Sequence, residues 1–336
     1  MQTAFITHPA CLKHDMGHDH PESPARLQAI EDQLIASGIF PFLQHHEAPR
    51  ATHEQLARVH SEDHISTIEA TAPQQGLASI DPDTAMNPYT LEAALRAAGA
   101  VVLATDLVMT GKVENAFCNV RPPGHHATHN RAMGFCFFNN VAVGVAHAMA
   151  QYGLKRIAIA DFDVHHGNGT EDIFKHDSRV MLCSTFQHPF YPYCGADSGS
   201  AHMINVPLAA RTDSATFQTA ITNQWLPALH AFKPEMIFIS AGFDAHREDE
   251  MANFSLVDSD YAWVTEQIKA IADKYAKKRI VSTLEGGYAL HALGRCATAL
   301  HTLRCYVICK VFLLIRSQAY FPLFPCRNYS PNRLSL

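Results

Sequence analysis

Asp161, Asp163 and His165 alternate along one short segment, Arg156-Ile-Ala-Ile-Ala-Asp-Phe-Asp-Val-His-His-Gly-Asn-Gly-Thr170. On an extended strand residues two apart face the same way, so these side chains can converge where the apolar run ends. Carboxylate and imidazole together suit Zn²⁺ or another divalent cation, and a catalytic site needs about three protein ligands plus an open position. Asp244, at the end of Met236-Ile-Phe-Ile-Ser-Ala-Gly-Phe-Asp244, is the natural third ligand beside Asp163 and His165. Taken alone, Asp-x-Asp-x-His also fits a loop of capped turns, where Asp, His, Gly and Asn are common. What favours the metal is repetition. Apolar runs also lead into proton-handling groups at Phe117–His126, Val180–His188, Ile280–Tyr288 and Thr3–His8. In open α/β sheets the crevice beyond the carboxyl ends of the strands is where ligands bind.

Two carboxylates roughly cancel the charge of Zn²⁺. The bound water should then be less acidic than at an all-histidine site, where its pKa falls to about 7. Such a site needs a general base and a donor for the developing oxyanion. His125 and His126 follow Arg121-Pro-Pro-Gly124, whose prolines and glycine fix a rigid turn. Two adjacent loop histidines, like His165-His166, are by themselves more often simply hydrogen-bonded. Asp161 and Asn168 shift the balance, because they could orient the imidazoles from behind. Tyr288 follows Gly286-Gly287 and could swing over a polarised carbonyl, although Gly-Gly-Tyr alone is usually a turn. The oxygen-rich ligand set leaves Fe²⁺ and Co²⁺ open beside Zn²⁺.

The elements that must position these groups follow a βα rhythm, which implies a parallel sheet. Residues Leu91 to Met109, Phe138 to Tyr152, Ser214 to Ala231, Asp258 to Lys277 and Ala289 to Leu303 read as helices. The chain has 336 residues, 47% of them apolar, enough for one large core. A net charge of −6 gives no general attraction to nucleic acid or an anionic membrane, and no run of 18 apolar residues could span a bilayer. Nine cysteines without a CxxC pair, and no secretory signal, point to reduced, mostly buried thiols and a cytoplasmic protein. The 22 histidines are the compositional outlier. His14, His18 and His20 could form a separate metal site, but His14 and His18 read better as decoration of a flexible rim loop.

One domain is expected over residues 1–303, followed by an atypical tail, 304–336. From Gly286 onward there is no Asp or Glu, and the tail mixes aromatics, Cys, Pro and Arg without a clear period. It is expected to be poorly packed and to contribute nothing to catalysis. Truncation after Leu303 should keep metal binding and kcat and improve solubility; an unfolded or inactive truncated protein would make the tail part of the domain.

Five motifs, in order, carry a resemblance: Arg-Pro-Pro-Gly-His-His (121–126), Gly-Phe-Cys-Phe-Phe-Asn (134–139), Asp-Phe-Asp-Val-His-His-Gly-Asn-Gly-Thr (161–170), Ser-Ala-Gly-Phe-Asp-Ala-His (240–246) and Leu-Glu-Gly-Gly-Tyr (284–288). They resemble the zinc-dependent histone deacetylases, and Asn168 resembles the class II branch and its bacterial relatives. His20-Pro-Glu-Ser-Pro-Ala-Arg26 matches the family's N-terminal motif, so the likeness spans about residues 1 to 303. It implies an arginase-like, three-layer α/β fold with a mainly parallel sheet of about eight strands. The implied reaction is hydrolysis of an acetylated amine, either a small molecule or acetyl-lysine in a protein. By motif position Asp163, His165 and Asp244 would bind zinc. His125 and His126 would be the acid/base pair, with Asp161 and Asn168 behind them, and Tyr288 would polarise the carbonyl. Gly134, Phe135, Tyr191 or Phe190, and Met251 match the substrate tunnel, and Arg26 an internal acetate channel. Asp161, Asp163, His165, Ser184 and Thr185 match a potassium site, and Phe174 and Val180 a second one. Acetylpolyamine amidohydrolases are the alternative within the family, although Met251 stands where polyamine-preferring members carry glutamate. A catalytically silent acyl-amine-binding module is the alternative outside it. The oligomeric state is not legible.

Overall fold

Eight strands form one sheet in the computed structural model, which describes residues 2–302. In chain order they are β1 (Thr3–Thr7) and β2 (Gln44–Glu47), then, after a small separate hairpin of β3 (Ala78–Asp81) and β4 (Thr84–Met86), β5 (Asn115–Cys118), β6 (Ile157–Asp161) and β7 (Val180–Gln187). The last three are β8 (Met203–Leu208), β9 (Met236–Ala241) and β10 (Ile280–Leu284). The order across the sheet is β2-β1-β5-β10-β9-β6-β7-β8, and every neighbouring pair is parallel. The expected α/β architecture is therefore present.

Interior strands β5, β6, β9 and β10 are buried at every residue. Parallel strands covered on both faces read as continuous apolar runs, which is why these were legible. The edges were not. Strand β2 is Gln-His-His-Glu with alternating exposure, and β8 carries Pro207, which an edge strand tolerates.

The first five helices are α1 (Ala25–Ala36), α2 (His53–Ala57), α3 (Glu62–Thr71), α4 (Thr90–Met109) and α5 (Asn140–Tyr152). Then follow α6 (Asn168–Phe174), α7 (Ser214–Ala220), α8 (Leu226–Phe232), α9 (Asp258–Tyr275) and α10 (Leu290–Thr302). Helix α4 rests on β1, β5 and β10, and α5 on β9, while α1, α10 and α9 pack together. Asn139 starts α5 by accepting a hydrogen bond from the Ala142 N–H at 3.0 Å, and Gly153 ends it in the left-handed conformation. The helix expected over Ser214 to Ala231 is interrupted by a wide π turn at Ile221–Trp225. Pro227 follows at once; it has no N–H to donate and its ring would crowd the carbonyl four residues back, so the preceding turn opens. The expectations for residues 304–336 lie outside the described residues.

Candidate active site

Strands β5, β10, β9, β6 and β7 are consecutive neighbours, so the loops leaving their carboxyl ends share one crevice. There they enclose a cavity of about 140 Å³. The β5 loop supplies His125 and His126, the β6 loop His165, and the β10 loop Gly286 and Tyr288. Met251 reaches in from the segment after β9, and Phe190 and Tyr191 from the segment after β7.

Beside the cavity, His165 Nδ1 stands 3.1 Å from Asp163 Oδ1 and 3.1 Å from Asp244 Oδ2. All three residues are buried, and their donor atoms lie within 4.8 Å of one another. The remaining oxygens are held by backbone: Gly286 N–H donates to Asp163 Oδ2 at 2.8 Å and Val164 N–H to Asp244 Oδ1 at 2.9 Å. Burial and the charge of Asp163 push the Asp244 carboxyl up to about 6. Burial opposes a charged His165, but the hydrogen bonds to Asp163 and Asp244 outweigh it and raise the imidazole to about 10. Two carboxylates converging on one imidazole nitrogen in a buried site form a donor set that could hold a divalent cation, and its chemistry suits Zn²⁺. Gly286 is required here, because a Cβ would overlap the Asp163 and Asp244 carboxylates. Gly287, at φ +118°, then turns the chain towards Tyr288.

The paired histidines lie with ring centroids 4.0 Å apart and their planes tilted by 44°. Their rear partners differ in charge. His125 Nδ1 lies 3.0 Å from Asp161 Oδ2, and His126 Nδ1 donates to Asn168 Oδ1 at 2.7 Å. Burial opposes charge on His125, yet Asp163 and Asp161 raise it to about 10. Burial and the neighbouring His125 and His165 hold His126 well below the usual imidazole range. Burial likewise pushes the Tyr288 phenol well above its ordinary value, keeping it a neutral donor.

A histone deacetylase domain is matched over residues 20–303. The chain belongs to the histone deacetylase family. It is 37% identical over 298 residues to a probable deacetylase of Archaeoglobus fulgidus, covering 86% of this chain and 82% of that one. It is 34% identical over 312 residues to the histone deacetylase-like amidohydrolase of Pseudomonas aeruginosa, again covering 86% and 82%. The crystal structure of the HDA15 HD domain superposes with a TM-score of 0.85 at 35% identity, covering 90% of this chain and 87% of that one.

In this family member both alternatives for the tunnel aromatic reach the cavity. Phe190 stacks on His165 at 5.6 Å and Tyr191 stands edge-on to His126 at 5.2 Å. Across from them Phe135 meets the Tyr288 ring at 6.1 Å. Gly134 sits so close to His126 that a Cβ would run into the imidazole. Arg26 is fully buried behind the glycine turn, donating to Gly287 O at 2.6 Å and to Glu285 O, with its guanidinium 4.8 Å over the Tyr288 ring. Ser184 pairs in register with Asp161, its Oγ 3.2 Å from His166 Nδ1, and the neighbouring Thr185 Oγ1 is buried without a hydrogen-bond partner.

The histidines near the amino terminus need a correction. His14 is not on a rim; it is fully buried, with Nδ1 2.8 Å from Thr90 Oγ1 and Nε2 3.3 Å from Glu22. His18 alone is exposed, while His20 packs against Phe135 at 4.8 Å. Among the described residues the three form no metal-binding group. A second His–Asp–Cys group, His246, Asp258 and Cys296, is satisfied without a cation. His246 Nδ1 accepts the Glu248 N–H at 3.2 Å, so Nε2 carries the proton and donates to Asp258 at 3.0 Å; Arg295 holds the other Asp258 oxygen at 2.8 Å.

Sequence reasoning missed several carboxylates. Glu285 accepts the backbone N–H groups of Gly124 at 2.7 Å and His125 at 3.1 Å, clamping the histidine loop to the end of β10. Burial raises its carboxyl to about 7 against the pull of His125. A charged residue directly after an apolar strand was the available signal. Asp83 lines the cavity from the turn between β3 and β4, and Glu22 is buried between Arg26 and Arg121.

Proposed function

We propose that this chain is a zinc-dependent amidohydrolase that removes acetyl or related acyl groups from lysine side chains or similar amines. Its deacetylase relatives and the site chemistry support this reading together. The observation that carries it is the unlike backing of the two histidines, Asp161 behind one and Asn168 behind the other, beside three converging ligands.

Asp163, His165 and Asp244 would hold the metal, which supplies a Lewis acid for the amide carbonyl and a means of acidifying water. Because Asn168 occupies Nδ1 of His126, the Nε2 lone pair is left to take a proton from the attacking water. The Asp161 carboxylate behind His125 favours its imidazolium form, which makes His125 the electrostatic partner and the acid for the leaving amine. The Tyr288 O–H donates to the carbonyl oxygen as its charge grows. Phe135 and Phe190 offer apolar walls to an alkyl stem, and Gly134 lets the chain pass close to His126. The oxygens around Asp161, Ser184 and Thr185 would suit a structural K⁺.

Replacing Asn168 with Asp should raise the pKa of His126. A base must be neutral to act, so activity is lost below its pKa, and raising that pKa moves the acidic limb of the pH–rate profile to higher pH. An unmoved limb in Asn168→Asp would contradict the assigned pairing. The substrate class is tested by comparing kcat/KM across acetyl-lysine peptides, acetylpolyamines and longer acyl-lysines. Acetylpolyamine hydrolysis is the second reading, favoured by the Asp83 carboxylate on the cavity wall. Preference for acetyl-lysine supports the first reading; strong preference for acetylpolyamines replaces it with the second.

A further inference from the structure

The carboxylate of Asp249 ties two walls of the cavity together. Its Oδ1 accepts the backbone N–H of Met251 at 3.0 Å. Its Oδ2 accepts the N–H groups of Tyr288 at 2.6 Å and Ala289 at 2.9 Å. Asp249 is buried, at 6% exposure, whereas its neighbours Glu248 and Glu250 are exposed. Both Met251 and Tyr288 line the cavity, so one side chain outside it fixes the backbone of two residues inside it.

The local sequence explains why such a tie is required. Tyr288 follows a glycine pair, and Gly287 is in a left-handed conformation, so the preceding chain contributes little stiffness. Ala289, just before α10, has no side chain that could accept a hydrogen bond at the helix start. The acceptor arrives from the loop after β9, and its negative charge suits a helix amino terminus. That loop is itself anchored: Asp249 N–H donates to His246 O at 2.8 Å and Arg247 N–H to Leu256 O at 2.9 Å.

We propose that Asp249 is a positioning residue for the reaction: it holds the Tyr288 phenol at the carbonyl oxygen, and through Met251 it couples that placement to the cavity wall facing the acyl-amine stem. The inference rests on the reading of Tyr288 as the oxyanion donor. A displacement of about 1 Å at a reacting group can cost about 10²-fold in rate. Asp249→Ala removes every acceptor. Asp249→Asn keeps the size but must point an NH₂ at one of the N–H groups now served.

The test is a double-mutant cycle on an acetyl-lysine substrate, with bound metal and thermal melting measured on every protein. Tyr288→Phe alone lowering kcat validates the base of the cycle; an unchanged kcat there would overturn the reading of Tyr288 and this inference with it. Given that loss, Asp249→Ala and Asp249→Asn are expected to lower kcat on the order of 10²-fold with metal content unchanged. In the Tyr288→Phe background they should lower kcat no further, while a rise in KM through Met251 persists. Wild-type kcat in both Asp249 variants, or the same fold-loss in both backgrounds, would overturn Asp249 as a positioning residue and leave Tyr288 in place. If Asp249→Ala proves unstable, Asp249→Asn decides the cycle.

Discussion

Asp163→Ala and Asp244→Ala are each expected to lose the bound metal and to reduce activity to that of the chelated protein, while the fold survives. A single three-ligand site binds about one ion per chain, and two remaining ligands hold it poorly. The fold should survive because both carboxylates lie beyond their strands, in loops after β6 and β9, not in the sheet. Removing either takes a counter-charge from the buried His165 and leaves the Gly286 or Val164 N–H without its acceptor, so the melting temperature should fall while the sheet stays intact. Metal analysis and circular dichroism on the purified variants check this. Full metal occupancy in both would sink the ligand assignment.

Tyr288→Phe should lower kcat by roughly 10²–10³-fold, the scale for deleting one oxyanion donor, or about 2.7–4 kcal/mol. The phenol is pushed well above its usual pKa by burial, so the wild-type residue donates as O–H and is not a base. KM should change little, because the hydroxyl is needed most as the carbonyl oxygen becomes negative. Phenylalanine keeps the ring that packs on Phe135 and under Arg26, so misfolding would not account for a loss. A variant with wild-type kcat would make Tyr288 a turn residue only.

The sheet and the convergence of the site were legible for one physical reason. Interior parallel strands are apolar throughout, so a polar residue at the carboxyl end stands out, as Asp161 does after Ile157-Ala-Ile-Ala160. Asp163 and His165 stand two apart in the same segment, and Asp244 closed a second such run. What stayed hidden is carried by contacts between distant segments. Asp249 meets Tyr288, 39 residues away, and Glu285 meets Gly124, 161 residues away, each through backbone N–H groups that no spacing records. His14 reads as a rim residue because His18 nearby is one, but Thr90 and Glu22 draw it inside. Edge strand β2 was hidden by its polar composition, and the π turn before Pro227 by an otherwise regular helical pattern.

The central claim is hydrolysis of an acylated amine by a metal held at Asp163, His165 and Asp244, and product analysis tests it most directly. Purified protein is incubated with an acetyl-lysine peptide as isolated, after chelation, and after restoring Zn²⁺, and free acetate and free amine are quantified. The account predicts the two products in equal amounts, production stopping on chelation and resuming with Zn²⁺. Peptide that binds to the Zn²⁺-loaded protein but is recovered intact would contradict it, and would make this family member a binding module.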